Sequence, residues 1–190
     1  MTNVTIFGTG NMGSAIASVF AAGGASVEHI GTDGTGTVTG DVVVLAVPYT
    51  ALADIASKYA DQLQGKIVVE TTNPLDFSTF DSLVVAAGSS ATAELAAALP
   101  SSKVLKGFNT TFAATLATKK IGDLATTVLL AGDDADAKAT VAGLITAGGV
   151  QAIDAGSLSR AHELEAMGFL QLTLAAGEKI NWTGGFAIVK

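Results

Sequence analysis

Short runs of β-branched and apolar residues alternate along the chain with longer Ala-rich stretches. This is the pattern of strands and helices taking turns around a parallel sheet that is buried on both faces. Seven strands are predicted, over Val4–Phe7, Ser26–Ile30, Val42–Val47, Ile67–Glu70, Val104–Lys106, Thr127–Leu130 and Gln151–Ile153. Helices are predicted near 11–22, 50–63, 90–99, 134–147 and 158–178, and Trp182–Lys190 reads as an extended tail. Pro48 and Pro74 fall just past strand ends and Pro100 just past a helix, where a fixed φ and a missing N–H do little harm. One segment breaks the alternation. Residues 31–40 are too rich in Gly and Thr for a helix, yet they join two strands that should be parallel. Such a link needs about a dozen residues, so a shortened second crossover is expected, passing over the sheet top as loop.

Composition narrows the classes. At 190 residues with 49% hydrophobic side chains, the chain suits one large domain with one extended core. Ten Lys and Arg against seventeen Asp and Glu leave a net charge of −7, which repels a phosphate backbone and argues against nucleic acid as a partner. With no Cys and two separated His, neither a disulfide framework nor a zinc site is expected. The N-terminus lacks the basic region of a signal peptide, and the apolar stretch from Ala166 to Gly177 falls short of the roughly 20 residues of a membrane span. A cytoplasmic location and no membrane association are the resulting expectations.

The first predicted strand runs into Gly8, Thr9, Gly10, Asn11, Met12 and Gly13, and the predicted helix follows at once. This is G-x-G-x-x-G placed between strand and helix, the fingerprint of a dinucleotide-binding site. Gly8 suits the tight turn, Gly10 a close approach to a diphosphate, and Gly13 close packing of helix on strand. The helix start adds unpaired N–H groups and about half a positive charge. The expected fold is therefore a Rossmann-type doubly wound parallel sheet in three α/β/α layers, with residues 1–156 as the NAD(P)-binding domain. Residues 157–190 are read as a C-terminal helix and tail packed on the same domain.

In such sheets the ligand lies across the carboxyl ends of the strands. After the third strand come Ala46, Val47 and Pro48, which could pack against the nicotinamide ribose and ring. After the fourth come Asn73 and Pro74, and after the fifth Asn109, with side chains able to hydrogen-bond a carboxamide or an acceptor. The end of the second strand, where a ribose 2′ substituent is read, offers Thr32 and Asp33, with Glu28 inside the strand. No Lys or Arg occurs between Met1 and Tyr49, which taken alone favours the unphosphorylated coenzyme. No Ser/His/Asp arrangement and no His cluster is seen, and no Lys is read in a strand-end motif. Catalytic residues are left unassigned. Hydride transfer asks a protein mainly to hold two rings face to face. Arg160 and Glu163 are read as an intrahelical pair beside His162, and the apolar C-terminal helix as a surface through which two chains associate.

Taken together, several segments resemble the NADP oxidoreductases that depend on the deazaflavin coenzyme F420, along with their shorter relatives. The segments are residues 8–13, 41–48, 67–75, 103–109, 131–134 and 154–156, with Arg160 and Glu163. The resemblance implies an NADP-binding fold with hydride transfer to a flavin-like ring stacked over the nicotinamide. It also implies a 2′-phosphate held by a hydroxyl residue and a basic residue after the second strand. Thr32 matches the hydroxyl, while Asp33 stands where the family tends to carry Arg or Lys. NADP(H) is thus favoured as cofactor, with NAD(H) left open, no metal, and a small-molecule acceptor as second partner. Two alternatives stay open: an imine reductase resembling the pyrroline-5-carboxylate reductases, and a non-catalytic NADP(H)-binding redox sensor.

Overall fold

The computed structural model describes residues 1–31 and 35–189. A sheet of seven strands carries the fold, in the order β2-β1-β3-β4-β5-β8-β9. The strands are β1 (Asn3–Phe7), β2 (Ser26–Ile30), β3 (Val42–Leu45), β4 (Ile67–Glu70), β5 (Lys103–Lys106), β8 (Thr127–Ala131) and β9 (Gln151–Gly156). The first five are parallel, in registers such as Phe7 beside Leu45 and Glu70 beside Lys106. The all-parallel expectation needs one correction: β8 runs antiparallel to β5, meeting it at Lys106 and Ala131, and β9 follows β8 in parallel.

Helices cover both faces because their apolar residues recur at helical spacing. In α1 (Asn11–Ala22) Ile16, Val19 and Phe20 are buried, and they join Val4, Ile6, Val44 and α5 (Ala135–Ala147) in one core. In α2 (Leu52–Leu63), entered through a single 3-10 turn at Tyr49–Ala51, the buried stripe is Leu52, Ala56, Tyr59 and Leu63. That stripe packs with α3 (Ala91–Ala98) on the opposite face, against Phe7, Val43 and Leu45. Val42–Leu45 is wholly buried, as expected of a central strand covered on both sides.

Between β5 and β8 the chain forms α4 (Ala113–Thr118) and a hairpin of β6 (Lys120–Ile121) and β7 (Leu124–Ala125), neither of which was expected from the sequence. The third strand is shorter than predicted, so Ala46 and Val47 belong to the loop beyond it. Among the described residues of the 31–41 link there is no helix, in keeping with the shortened crossover. Glu28 tethers this link: its carboxylate accepts from Thr5 Oγ1 at 2.7 Å, Thr39 Oγ1 at 2.6 Å and Thr39 N–H at 3.2 Å. These bonds hold the Glu28 carboxyl below its usual range, with Thr39 the largest cause.

After a 3-10 turn at Leu158–Arg160, α6 (Ala161–Ala176) lays its first half on the carboxyl ends of β4 and β5. Gly168 makes this possible, since a Cβ there would stand 2.1 Å from Asn73 Oδ1. Among the described residues no helix is long and apolar enough to cross a membrane, and no group of three or more His, Asp or Glu is placed to hold a metal.

Candidate functional site

The glycine-rich turn has the geometry that its spacing predicts. Gly8 leaves β1 at φ +107, a conformation L side chains rarely adopt, and its N–H donates to Ile30 O at 3.0 Å, holding the turn against β2. A Cβ on Gly13 would lie 2.5 Å from Gly8 O, so only a glycine lets α1 start this close to the strand. Gly10, the residue preceding α1, differs from both: a Cβ there would meet nothing within 4 Å. The space over Gly10 is open, and the first-turn N–H groups of Asn11, Met12 and Gly13 have no partner within the helix. No acidic side chain occupies that turn. Thr9, Gly10 and Asn11 are exposed beside this opening, while Met12 packs partly on the core.

Beside the turn lies a cavity of about 370 Å³. One wall is Gly8, Ile30 and Gly31, at the ends of β1 and β2; the other is Val47 and Pro48 followed by Ile55, Lys58 and Tyr59 of α2. The lining is mostly apolar, and among the described residues Lys58 is its single cation and Asp54 its single carboxylate. Gly8 would place a Cβ 2.2 Å from Ala46 O, so Ala46 closes the turn from the β3 side. Gly8, Val47 and Pro48 are thus brought together as the sequence suggested. Thr32 and Asp33 lie outside the described residues.

The β4 and β5 ends are organised differently. Asn73 Nδ2 donates to Asn109 O at 2.8 Å, and Asn109 Nδ2 donates to Asn73 Oδ1 at 2.8 Å and to Leu164 O at 2.8 Å. The two amides therefore bind each other and α6, with Pro74 buried next to them. Two buried oxygens in this region, Thr72 Oγ1 and Asn109 Oδ1, have no hydrogen-bond partner among the described residues, leaving polar valence open at this end of the sheet.

Beneath these loops is a charged cluster that the sequence reading missed. Lys106, the last residue of β5 as the sequence predicts, is fully buried, and it corrects the expectation of no lysine in a strand-end motif. Its ammonium donates to Glu70 at 2.7 Å, to Glu165 at 2.9 Å and to Thr72 O at 2.5 Å. Glu70 also accepts from Thr92 Oγ1 at 2.7 Å and from Thr72 N–H. Glu165 accepts the N–H of Ala91, the first residue of α3, at 3.1 Å. All three charged side chains have 0% exposure. Burial pushes the Glu165 carboxyl above its usual range, against the pull of the Lys106 ammonium. The cluster fixes the Thr72–Asn73 turn from below and joins β4, β5, α3 and α6 at one point. One signal was available in the sequence: neighbouring strands ending on Glu70 and Lys106, charges of opposite sign in register.

Other polar groups at this end have structural partners. Tyr49 donates to Glu94 at 2.6 Å, which with partial burial pushes its phenol up to about 12. His162 Nδ1 lies 3.1 Å from Ser89 O, and Arg160 pairs with Glu163 at 2.7 Å as the sequence suggested.

The family model for NADP oxidoreductases, coenzyme F420-dependent, matches residues 25–74. An F420-dependent NADP reductase from Methanocaldococcus jannaschii is 31% identical over 149 residues, covering 76% of this chain and 66% of its own length. The metalloreductase STEAP3 of Rattus norvegicus is 35% identical over 127 residues, covering 66% of this chain and 24% of its own. The chain therefore spans about two thirds of the first relative and a quarter of the second. A crystal structure from Arthrobacter sp. FB24, whose name assigns it to the F420-dependent NADP reductases, superposes with a TM-score of 0.85 at 25% identity, over 100% of both chains. Its agreement extends to the C-terminal segment, where α6 closes the sheet end. Together with the open glycine turn, these matches converge on one assignment: the chain belongs to the coenzyme F420-dependent NADP oxidoreductase family.

Proposed function

We propose that the protein is an NAD(P)H-dependent oxidoreductase that passes a hydride between the coenzyme, NADPH before NADH, and a flavin-like or other small acceptor. The observation that carries this reading is the open space over Gly10, at the bare first turn of α1 and two residues from Gly8, which lines the apolar cavity beside β2. A diphosphate fits there because the main chain offers N–H donors and the helix dipole, while no side chain intrudes. Val47 and Pro48 offer apolar surface past β3. The open valences of Thr72 and Asn109 suit a polar group at the nicotinamide end.

When bound, the reduced nicotinamide supplies the hydride. The protein's part is to bind, orient and exclude water. Lys106 and Glu70 hold the Thr72–Asn73 turn at a fixed height, and Gly168 lets α6 close over it. In this reading residues 1–156 carry the coenzyme and 157–190 complete the same domain. A cytoplasmic location and a homodimer belong to it as well; Leu170 on α6 and Trp182, each about half exposed, are apolar surface for a second copy.

Calorimetric titration with NADPH and NADH tests the coenzyme. Steady-state loss of reduced nicotinamide absorbance with flavins, a deazaflavin, quinones and ferric chelates tests the acceptor. Binding of neither nucleotide overturns the proposal; tight binding with no turnover on any acceptor returns the sensor reading.

A further inference from the structure

We infer that Lys58, on α2, receives the 2′-phosphate of the coenzyme's adenosine ribose and is the residue that sets preference for the phosphorylated dinucleotide. The inference rests on the dinucleotide reading above and adds the group that would discriminate between its two coenzymes.

The argument begins with scarcity. Lys58 is the first Lys or Arg in the chain, so neither β2 nor the link after it can contribute an ammonium or a guanidinium. The fold supplies one from elsewhere: the middle of α2 lines the same cavity as Ile30 and Gly31, the end of β2, where the ribose substituent is read. Lys58 is the only cation lining that cavity among the described residues. Its Nζ stands 5.6 Å from the ring centroid of Tyr59, which lines the cavity too and is wedged edge-on against Phe7 at 4.8 Å. The next lysine, Lys66, lies at the other end of the sheet, where it donates to Gly40 O at 2.6 Å.

Two carboxylates among the described residues fit the same assignment. An unphosphorylated ribose is usually held by an acid at the end of β2. Glu28, the carboxylate on that strand, is taken up by Thr5 and Thr39 and serves the link instead. Asp54 lines the cavity one turn before Lys58, and it makes the cation more necessary, because a phosphate entering beside it would otherwise meet only negative charge in a chain of net −7. Lys58 is itself exposed, so replacing it should leave folding intact.

The test uses the whole chain and four ligands: 2′,5′-ADP, 5′-AMP, NADPH and NADH, titrated by calorimetry into the wild type, Lys58→Met and Lys58→Arg. The wild type is expected to bind 2′,5′-ADP more tightly than 5′-AMP and NADPH more tightly than NADH. Lys58→Met should weaken 2′,5′-ADP and NADPH by about ten- to a hundredfold, the span of one charge-assisted hydrogen bond. The other two ligands should be unaffected, and Lys58→Arg should retain the preference. The wild-type preference should also shrink as salt is raised. Equal weakening of all four ligands by Lys58→Met, or of none, overturns the inference while leaving the dinucleotide reading standing. A wild type that binds the nucleotides without preferring the phosphorylated forms overturns it as well. A wild type that binds none of them removes the dinucleotide reading itself.

Discussion

Replacing Lys106 by Met isolates the energetics of the buried cluster. Methionine keeps most of the volume but removes three hydrogen bonds, to Glu70, Glu165 and the Thr72 carbonyl, and leaves two carboxylates in a space with no solvent exposure. Breaking a buried ion pair from one side costs about 3–5 kcal/mol. An independent route gives a similar figure. The orphaned site can escape by taking up a proton, and neutralising one ordinary glutamate at pH 7 costs about 3.7 kcal/mol. For a domain of this size each kcal/mol lowers Tm by about 2–4 °C, so a fall of about 6–20 °C is expected. Urea unfolding at neutral pH, followed by far-UV circular dichroism, measures the loss directly. The same experiment near pH 5 should show a smaller deficit, because the stranded carboxyls then protonate cheaply. Adding Glu70→Gln and Glu165→Gln to Lys106→Met should recover much of the stability. A loss under about 1 kcal/mol at neutral pH, or one that does not change with pH, would refute the claim that these three charges are mutually dependent.

Further outcomes can be stated for the same molecule. Gly10→Ala should weaken NADPH binding by about ten- to a hundredfold with little change in unfolding midpoint, since its Cβ enters only open space, whereas Gly13→Ala should lower stability by about 1–3 kcal/mol through the contact with Gly8 O; calorimetry and denaturation on both variants separate the two roles. Because burial raises the Glu165 carboxyl, the folded state holds that proton more tightly than the unfolded chain does. Its contribution is therefore present below the ordinary carboxylate range and lost as pH rises through the folded value, and Glu165→Gln should flatten that slope in denaturant titrations. Asp134 and Asp154, both lowered, act in the opposite sense and lose their contribution as pH falls. Alkaline spectrophotometric titration should show a phenol ionising near 12, and Tyr49→Phe should abolish that late phase; its persistence in the variant would show that it comes from another residue.

What could be read in the sequence was local. The turn at residues 8–13, the strand it follows and the helix it opens are specified by neighbours within about fifteen positions, so spacing alone located them. The reversal of β8 was hidden because its apolar run looks the same in either direction. The hairpin of β6 and β7 carries Gly122 and Asp123 between its strands, a short turn signal that two-residue strands are too brief to reinforce. Lys106 and Glu165 lie 59 positions apart, and no periodicity joins residues at that distance. Lys58 carries no motif of its own, and only the fold brings it to the cavity that Gly31 also lines.

The anchoring of α6 also bears on the order in which the protein is made. All seven strands of the main sheet have been synthesised by residue 156, but the ions at the heart of the sheet are not enclosed until Glu165 and its helix emerge. A nascent chain stopped in between would hold Lys106 and Glu70 as an uncovered pair, facing water where the finished molecule has protein. The turns of α6 thus complete the interior, and a stop codon placed between β9 and Glu165 would cost the molecule its centre.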